Sequence, residues 1–196
     1  MKRSLPLLLV LASSLPAMAH PAAFHSMDSG VAAQAGFLHP FAGLDHLLVM
    51  VAVGLWAAQI GGRALWMLPA SFVGSMLLGG SLGILASNQQ LIEHGILASI
   101  IMFAVALGMA WRPSLLIASL CAGAAGLCHG FAHGSEMPVG MIPALFLAGM
   151  VASTALLHTL GVILGLSFRR NSFPIVCRTT GLLLLAFALS QIIRPF

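Results

Sequence analysis

The sequence of 196 residues is poor in charge and in cysteine, and each shortage excludes a class of protein. Charged side chains make up 6% of the residues, whereas they are about 25% of a soluble domain. So few charges cannot cover the surface of a water-soluble globule of this length. Three scattered cysteines exclude a disulfide framework and a CxxC metal site. The eight Lys and Arg residues form no basic run, which excludes nucleic acid as a partner despite the net charge of +4.

The sequence is instead rich in apolar side chains, which make up 60% of the residues and give a mean hydropathy of +1.06. This composition predicts an all-α integral membrane protein, built as a bundle of transmembrane helices. After the N-terminal segment, six apolar stretches are each near or above the roughly 20 residues that cross a bilayer. They span residues 40–60, 64–86, 92–110, 114–132, 141–168 and 175–193. The connections are short, so the function is expected to reside in the helices.

The first 19 residues are predicted to be a cleavable signal peptide. Residues 1–3 supply positive charge, residues 5–15 are apolar, and Ala-Met-Ala at 17–19 forms a cleavage site of small residues. Cleavage would leave residues 20–196 as one transmembrane domain of a bacterial inner membrane, with its N-terminus in the periplasm. An uncleaved first helix is the alternative.

The arginines support this orientation, because cytoplasmic ends of membrane helices carry an excess of positive charge. Five arginines fall at the predicted cytoplasmic ends and one at the periplasmic ends. The five are Arg63, Arg112, Arg169, Arg170 and Arg178, and the one is Arg194. The signal peptide and the charge bias therefore predict the same topology.

Glycines recur at intervals of four residues, a spacing typical of helices that pack closely in a membrane. They are Gly79 and Gly83 in the second span, Gly126, Gly130 and Gly134 in the fourth, and Gly161 and Gly165 in the fifth. We therefore expect a compact bundle in which several helix backbones touch.

Histidines and carboxylates gather at the predicted periplasmic ends of three spans. The set is His39, Asp45 and His46 in the first span, Glu93 and His94 in the third, His129, His133 and Glu136 in the fourth, and His20, His25 and Asp28 in the N-terminal segment. Ionisable groups inside a membrane are costly and usually functional. Imidazole with carboxylate, and without a thiolate cluster, suits Ni²⁺, Co²⁺ or Zn²⁺ better than Mg²⁺ or Ca²⁺. The pattern predicts a transition-metal site.

Spacing along the helices sharpens this prediction. His129 and His133 are four residues apart and Glu136 follows three later, so the three share one helix face. His39 and His46 are seven apart and are expected to share a face of the first span, with Pro40 in its first turn. Asp45 would orient a ligating imidazole or bind the metal itself. His158 lies deeper, in the fifth span, where it would relay the ion or simply bond a backbone carbonyl.

Enzyme motifs are mostly absent from the sequence. His129 and His133 have zincin spacing, but no glutamate follows the first histidine to act as a base. There is no Walker loop, and the chain is not expected to be an enzyme. Two alternatives remain open: a membrane electron-transfer subunit that binds haem through paired histidines, and an intramembrane zinc hydrolase.

The stretch His39-Pro40-Phe41-Ala42-Gly43-Leu44-Asp45-His46 resembles the HPxxGxDH signature of the HupE/UreJ family of bacterial nickel/cobalt permeases. The run from His129 to Glu136 resembles the second motif of that family, a histidine–glycine run that ends in an acid. Residues 157–161 resemble its fifth-helix pattern. A cleavable signal followed by six helices is also similar to the plan of that family.

The resemblance implies an inner-membrane permease that takes up Ni²⁺, or Co²⁺ in some members, from the periplasm. The metal ion is then a substrate, no prosthetic group is implied, and the bilayer is the other partner. The family implies supply of hydrogenase, urease or cobalamin synthesis, and homo-oligomerisation is left open. By match to the motifs the metal-handling residues are His39, Asp45, His46, His129, His133 and Glu136. His20, His94 and His158 are added from the topology.

Overall fold

The computed structural model describes residues 29–85, 89–168 and 173–193, and every regular element within these ranges is an α-helix. The helices are α1 (Ser29–Ala42), α2 (Leu44–Ile60), α3 (Ala64–Gly83), α4 (Gln89–Gly108), α5 (Leu115–Ser135), α6 (Pro143–Ser167) and α7 (Phe173–Ile193). The all-α fold class is therefore confirmed. The predicted signal peptide and His20 lie outside the described residues.

Four helices, α3, α5, α6 and α7, are long and apolar enough to cross a membrane. The α1–α2 pair adds a fifth candidate span when it is taken as one bent unit. The apolar part of α4, Ile92–Gly108, is shorter than these. The structure thus describes a membrane protein with four to five candidate spans, and the sixth span remains a prediction.

The start of the first span differs from the sequence expectation. Pro40 does not begin this span; it lies inside α1, which ends two residues later, and the chain turns by 86° before α2. Gly43 sits at the turn in an extended conformation. A Cβ at this position would lie 2.6 Å from Asp45 Oδ1 and 3.0 Å from His46 Nδ1, so glycine leaves room for these side chains. His39 and His46 therefore lie on different helices, and the prediction that they share one helix face is wrong.

The glycine spacing does produce close helix packing, as predicted. On α5, a Cβ at Gly126 would overlap the carbonyl oxygen of Phe72, and one at Gly130 would overlap that of Met76. Glycines of α3 approach the α5 backbone in the same way. The numbers of the contacting residues increase together along both helices. The helices α3 and α5 therefore run in the same direction, with their backbones in contact.

Helix α6 is packed against both α1 and α2. A Cβ at Gly36 of α1 would overlap the carbonyl oxygen of Phe146, and one at Gly54 of α2 would overlap that of His158. Gly161 similarly approaches the backbone of α2 at Val51. These contacts hold the two pieces of the bent α1–α2 unit on one helix.

Candidate metal centre

Four histidines from three helices meet at the end of the bundle where α2 begins. His39 lies in the last turn of α1, His46 in the first turn of α2, and His129 and His133 near the end of α5. The ring centroid of His133 is 4.8 Å from that of His39 and 4.4 Å from that of His46, which is itself 5.0 Å from His129. We refer to these four residues as the histidine cluster. Sequence positions separated by about ninety residues are thus brought together, as predicted for His39, His46, His129 and His133.

The histidine cluster and Glu136 form two overlapping sets of three metal-ligand atoms. The inner triad, His46, His129 and His133, is buried, and its ligand atoms lie within 4.8 Å of one another. The outer triad, His39, His133 and Glu136, meets the same distance limit but is more open. The side chains of His39 and Glu136 are 25% and 49% exposed. His133 belongs to both triads, so one imidazole links an accessible position to a buried one.

Asp45 orients His46 within the inner triad. Its Oδ1 lies 2.9 Å from Nδ1 of His46, which donates its proton when the imidazole is neutral. This bond directs the lone pair of His46 to Nε2, an atom that is buried and has no hydrogen-bond partner. A carboxylate behind a ligating histidine fixes its tautomer and raises its basicity. Of the two roles predicted for Asp45, the geometry favours orientation of the imidazole.

Ser99 on α4 performs the same task for His129, and the sequence analysis missed it. Its Oγ donates to the carbonyl oxygen of Ile96 at 2.7 Å and lies 2.9 Å from His129 Nε2. Because the single hydroxyl proton is engaged, Ser99 Oγ accepts a hydrogen bond from the Nε2–H of His129, and the lone pair of His129 is then on Nδ1. That atom is buried without a partner. The signal available in the sequence was that Ser99 is the one hydroxyl-bearing residue of α4.

His133 has both ring nitrogens buried and without a partner. Nearly all buried polar atoms in proteins have a hydrogen-bond partner, so unpartnered atoms require an explanation. Here they include Nε2 of His46 and Nδ1 of His129, in the triad whose ligand atoms converge. A borderline divalent cation would satisfy all three imidazoles at once, and the donor set fits one.

Glu136 caps the end of α5 and faces α1. Its Oε2 lies 3.2 Å from Nε2 of His39. The residue has α-helical dihedral angles, which continue the helix by one position beyond Ser135. The predicted grouping of Glu136 with the histidines is therefore reproduced, with its carboxylate at the exposed side of the cluster.

Two of the remaining predicted residues lie outside the triads. His94 is on an exposed part of α4 and contributes no ligand atom to either triad. His158 is buried in α6 at 1% exposure, and its ring packs edge-on against Phe72 with centroids 5.0 Å apart. Phe72 also contacts His129, at 5.7 Å, so one aromatic ring joins His158 to the histidine cluster.

Comparison with known proteins agrees with the motifs. A protein-family model described as HupE / UreJ protein matches residues 7–190. The chain belongs to the HupE/UreJ family. It is 36% identical over 172 residues to Protein HupE of Rhizobium leguminosarum bv. viciae, an alignment that covers 87% of each chain. No solved structure matches the chain. The family membership predicted from the first and second motifs is therefore confirmed.

Proposed function

We propose that this HupE/UreJ protein is an inner-membrane permease that carries Ni²⁺, or alternatively Co²⁺, from the periplasm to the cytoplasm. The observation that carries the proposal is the inner triad, in which three buried imidazoles bring ligand atoms within 4.8 Å of one another and each has a ring nitrogen without a hydrogen-bond partner. Such a site replaces the hydration shell of a cation. Without those ligands, the ion would pay a large desolvation penalty in the bundle.

The proposed topology has six spans, α2 to α7, with α1 as an additional helix on the periplasmic side. Alternating spans require that α2, α4 and α6 run one way and that α3, α5 and α7 run the other. The parallel packing of α3 with α5 supports this scheme. So does the contact order of α2 and α6, where Met50 meets Thr154 and Gly54 meets His158. The arginine bias then directs the histidine cluster toward the periplasm.

Ion entry proceeds through the two triads in order of their exposure. The outer triad captures the hydrated ion, with the Glu136 carboxylate offsetting part of its charge. His133 then retains the ion while His46 and His129 replace His39 and Glu136. Asp45, behind His46, supplies negative charge to the buried position. An inward-negative membrane potential favours entry by about 2.3 kcal/mol per charge per 100 mV.

The haem-binding alternative is disfavoured by the packing of the rings. Neighbouring histidines of the cluster are in direct tilted or edge-on contact, at centroid separations of 4.4 to 5.0 Å. A porphyrin plane would have to pass between two axial imidazoles, and this arrangement leaves no space for one. A single cation between the imidazoles requires no such separation.

The proposal is tested by measuring cell-associated Ni, Co, Zn and Cu in metal-limited cells that express the wild type or His46→Ala at matched membrane levels. Wild type is expected to raise nickel or cobalt above the vector level, and His46→Ala is expected to abolish the increase. Leu48→Ala is the control, because it truncates a side chain in the same turn of α2 without removing a ligand atom. A properly inserted wild type that raises neither metal would contradict the permease proposal.

A further inference from the structure

Beyond the histidine cluster, three helices bring sulfur and hydroxyl groups to one buried point. Oγ1 of Thr154 on α6 lies 3.3 Å from Sδ of Met50 on α2 and 3.6 Å from Sδ of Met76 on α3. All three side chains are completely or almost completely buried. Met50 follows His46 by four residues, so this point lies one helical turn further along the same face of α2.

The orientation of the Thr154 hydroxyl is unusual for a helix in this protein. Thr159 and Thr179 donate to the carbonyl oxygen four residues earlier in their own helices, as Ser153 does at 3.3 Å. That local bond is the ordinary solution for a hydroxyl in an apolar helix. Thr154 instead engages two thioethers from other helices, and so it holds both sulfur atoms close to one oxygen.

An imidazole lies next along α6 after Thr154, and together with Met50 and Met76 these residues form a row of possible metal donors. His158 lies four residues after Thr154 on the same face of α6, is 1% exposed, and has no partner for either ring nitrogen. Phe72, one turn from Met76 on α3, touches the rings of both His129 and His158. The ring of Phe72 thus contacts both a member of the inner triad and His158.

We propose that Met50, Met76, Thr154 and His158 form a second ion position, which receives the divalent metal after the inner triad releases it. The inference rests on the permease function proposed above. Thioether and imidazole donors favour borderline transition metals over Mg²⁺ and Ca²⁺, which prefer oxygen ligands. This second position would therefore add selectivity along the path.

None of the four donors carries a negative charge, in contrast to the triads with Asp45 and Glu136. A divalent ion is consequently held less tightly here, because its charge is only partly offset in a low-dielectric interior. Conduction requires that the affinity for the ion differ between positions in this way. Each position must bind the ion well enough to accept it and weakly enough to release it. Phe72 would separate the two positions and limit back-transfer.

The test replaces both thioethers in a Met50→Leu/Met76→Leu double variant of the full chain. Leucine preserves side-chain volume and usually costs less than about 1.5 kcal/mol in a core. We expect nickel or cobalt uptake at saturating metal to fall about tenfold, a loss typical of altered metal-site surroundings. Equilibrium binding of the same ion by the purified protein should stay within about twofold, because the triads are intact. The matched control is Met67→Leu/Met102→Leu, two methionines of α3 and α4 outside the row, which should transport as the wild type does.

Uptake at the wild-type rate by the Met50→Leu/Met76→Leu variant would overturn the proposal of a second ion position. It would show that these methionines only pack in the core. Loss of equilibrium binding together with uptake would also overturn it, since the position would then be inseparable from the triads. If the double variant does not insert, Thr154→Val supplies the same test by removing the hydroxyl from a side chain of similar shape. Failure of wild-type uptake would instead contradict the permease function itself.

Discussion

The two ends of α2 both bury polar side chains, yet they treat them in opposite ways. At its beginning, His46 has one nitrogen paired with Asp45 and the other without a partner. Near its end, Trp56 Nε1 and Gln59 Nε2 each donate to the carbonyl oxygen of Trp111 at 3.0 Å. Gln59 also donates to Ala106 at 3.1 Å, which leaves only its Oε1 without a partner.

The side-chain hydrogen bonds at the two ends of α2 have different roles. Trp56 and Gln59 bind carbonyl groups where α4 ends, next to Ala110, whose φ of 53° is in the left-handed region. Their bonds close an irregular piece of backbone and use the side-chain N–H groups of both residues without a ligand. The partners of His46 and His129 instead fix the tautomers and leave lone pairs open. Buried polar groups of the first kind support the fold, and those of the second kind are the ones that the proposed ion site requires.

The strongest way to break this contrast is to remove the imidazole that both triads share. His133→Ala should weaken Ni²⁺ binding by purified protein at least about 100-fold, because it deletes a ligand from each position. His39→Ala deletes a ligand from the outer triad alone and should leave the equilibrium affinity largely intact while slowing uptake. Titration of both variants with a competing metal chelator measures this. Equal affinities for the two variants would contradict the division into triads.

A smaller effect is expected from the partner of His129. Ser99→Ala should lower metal affinity about tenfold, because the Nε2–H tautomer of His129 is no longer fixed. Ser153→Ala is the control, since Ser153 is equally buried but bonds only carbonyls of its own helix. Nitrogen chemical shifts of labelled histidine should show a change of the His129 tautomer in the first variant only. An unchanged tautomer and affinity in Ser99→Ala would show that the serine merely packs.

The smallest effect on metal handling is expected at the other end of α2. Gln59→Leu removes the hydrogen bonds from Nε2 to the carbonyl oxygens of Ala106 and Trp111 and should reduce stability by about 1–3 kcal/mol, because each such bond contributes about 0.5–1.5 kcal/mol. Its metal affinity should equal that of the wild type. Thermal unfolding in detergent, followed with and without Ni²⁺, measures both quantities. A loss of metal affinity in Gln59→Leu would contradict the division of roles between the two ends of α2.

Much of this architecture could be predicted from the sequence, because length and hydropathy govern membrane helices. The predicted second to sixth stretches agree with α3 to α7 to within three residues at each end. The glycine intervals predicted the close approach of α3 and α5. The gathering of His39, His46, His129 and His133 followed from placing them at one end of a bundle, without any knowledge of their contacts.

What the sequence did not reveal depends on tertiary geometry. The helix α1 was missed because residues 29–39 are only moderately apolar, and the lack of room for a side chain at Gly43 depends on how Asp45 and His46 are placed in the fold. Ser99 and Thr154 were not recognised because a hydroxyl ordinarily bonds its own helix, and the contacts of Ser99 with His129 and of Thr154 with two methionines depend on other helices. His94 shared the predicted membrane depth, but depth does not determine the direction in which a side chain faces.

The backbone contacts between α3 and α5, and between α6 and the α1–α2 unit, have a mechanical consequence. The helices in each group pack so closely at their glycines that an added Cβ would overlap a neighbouring carbonyl, so we expect each group to move as a rigid body. The candidate ligands are divided between the two bodies, with His39 and His46 on one and His129, His133 and Glu136 on the other. A bound ion is then a removable crosslink. Its arrival would draw the bodies together, and their separation would have to dismantle its coordination shell, which couples ion release directly to movement of the bundle.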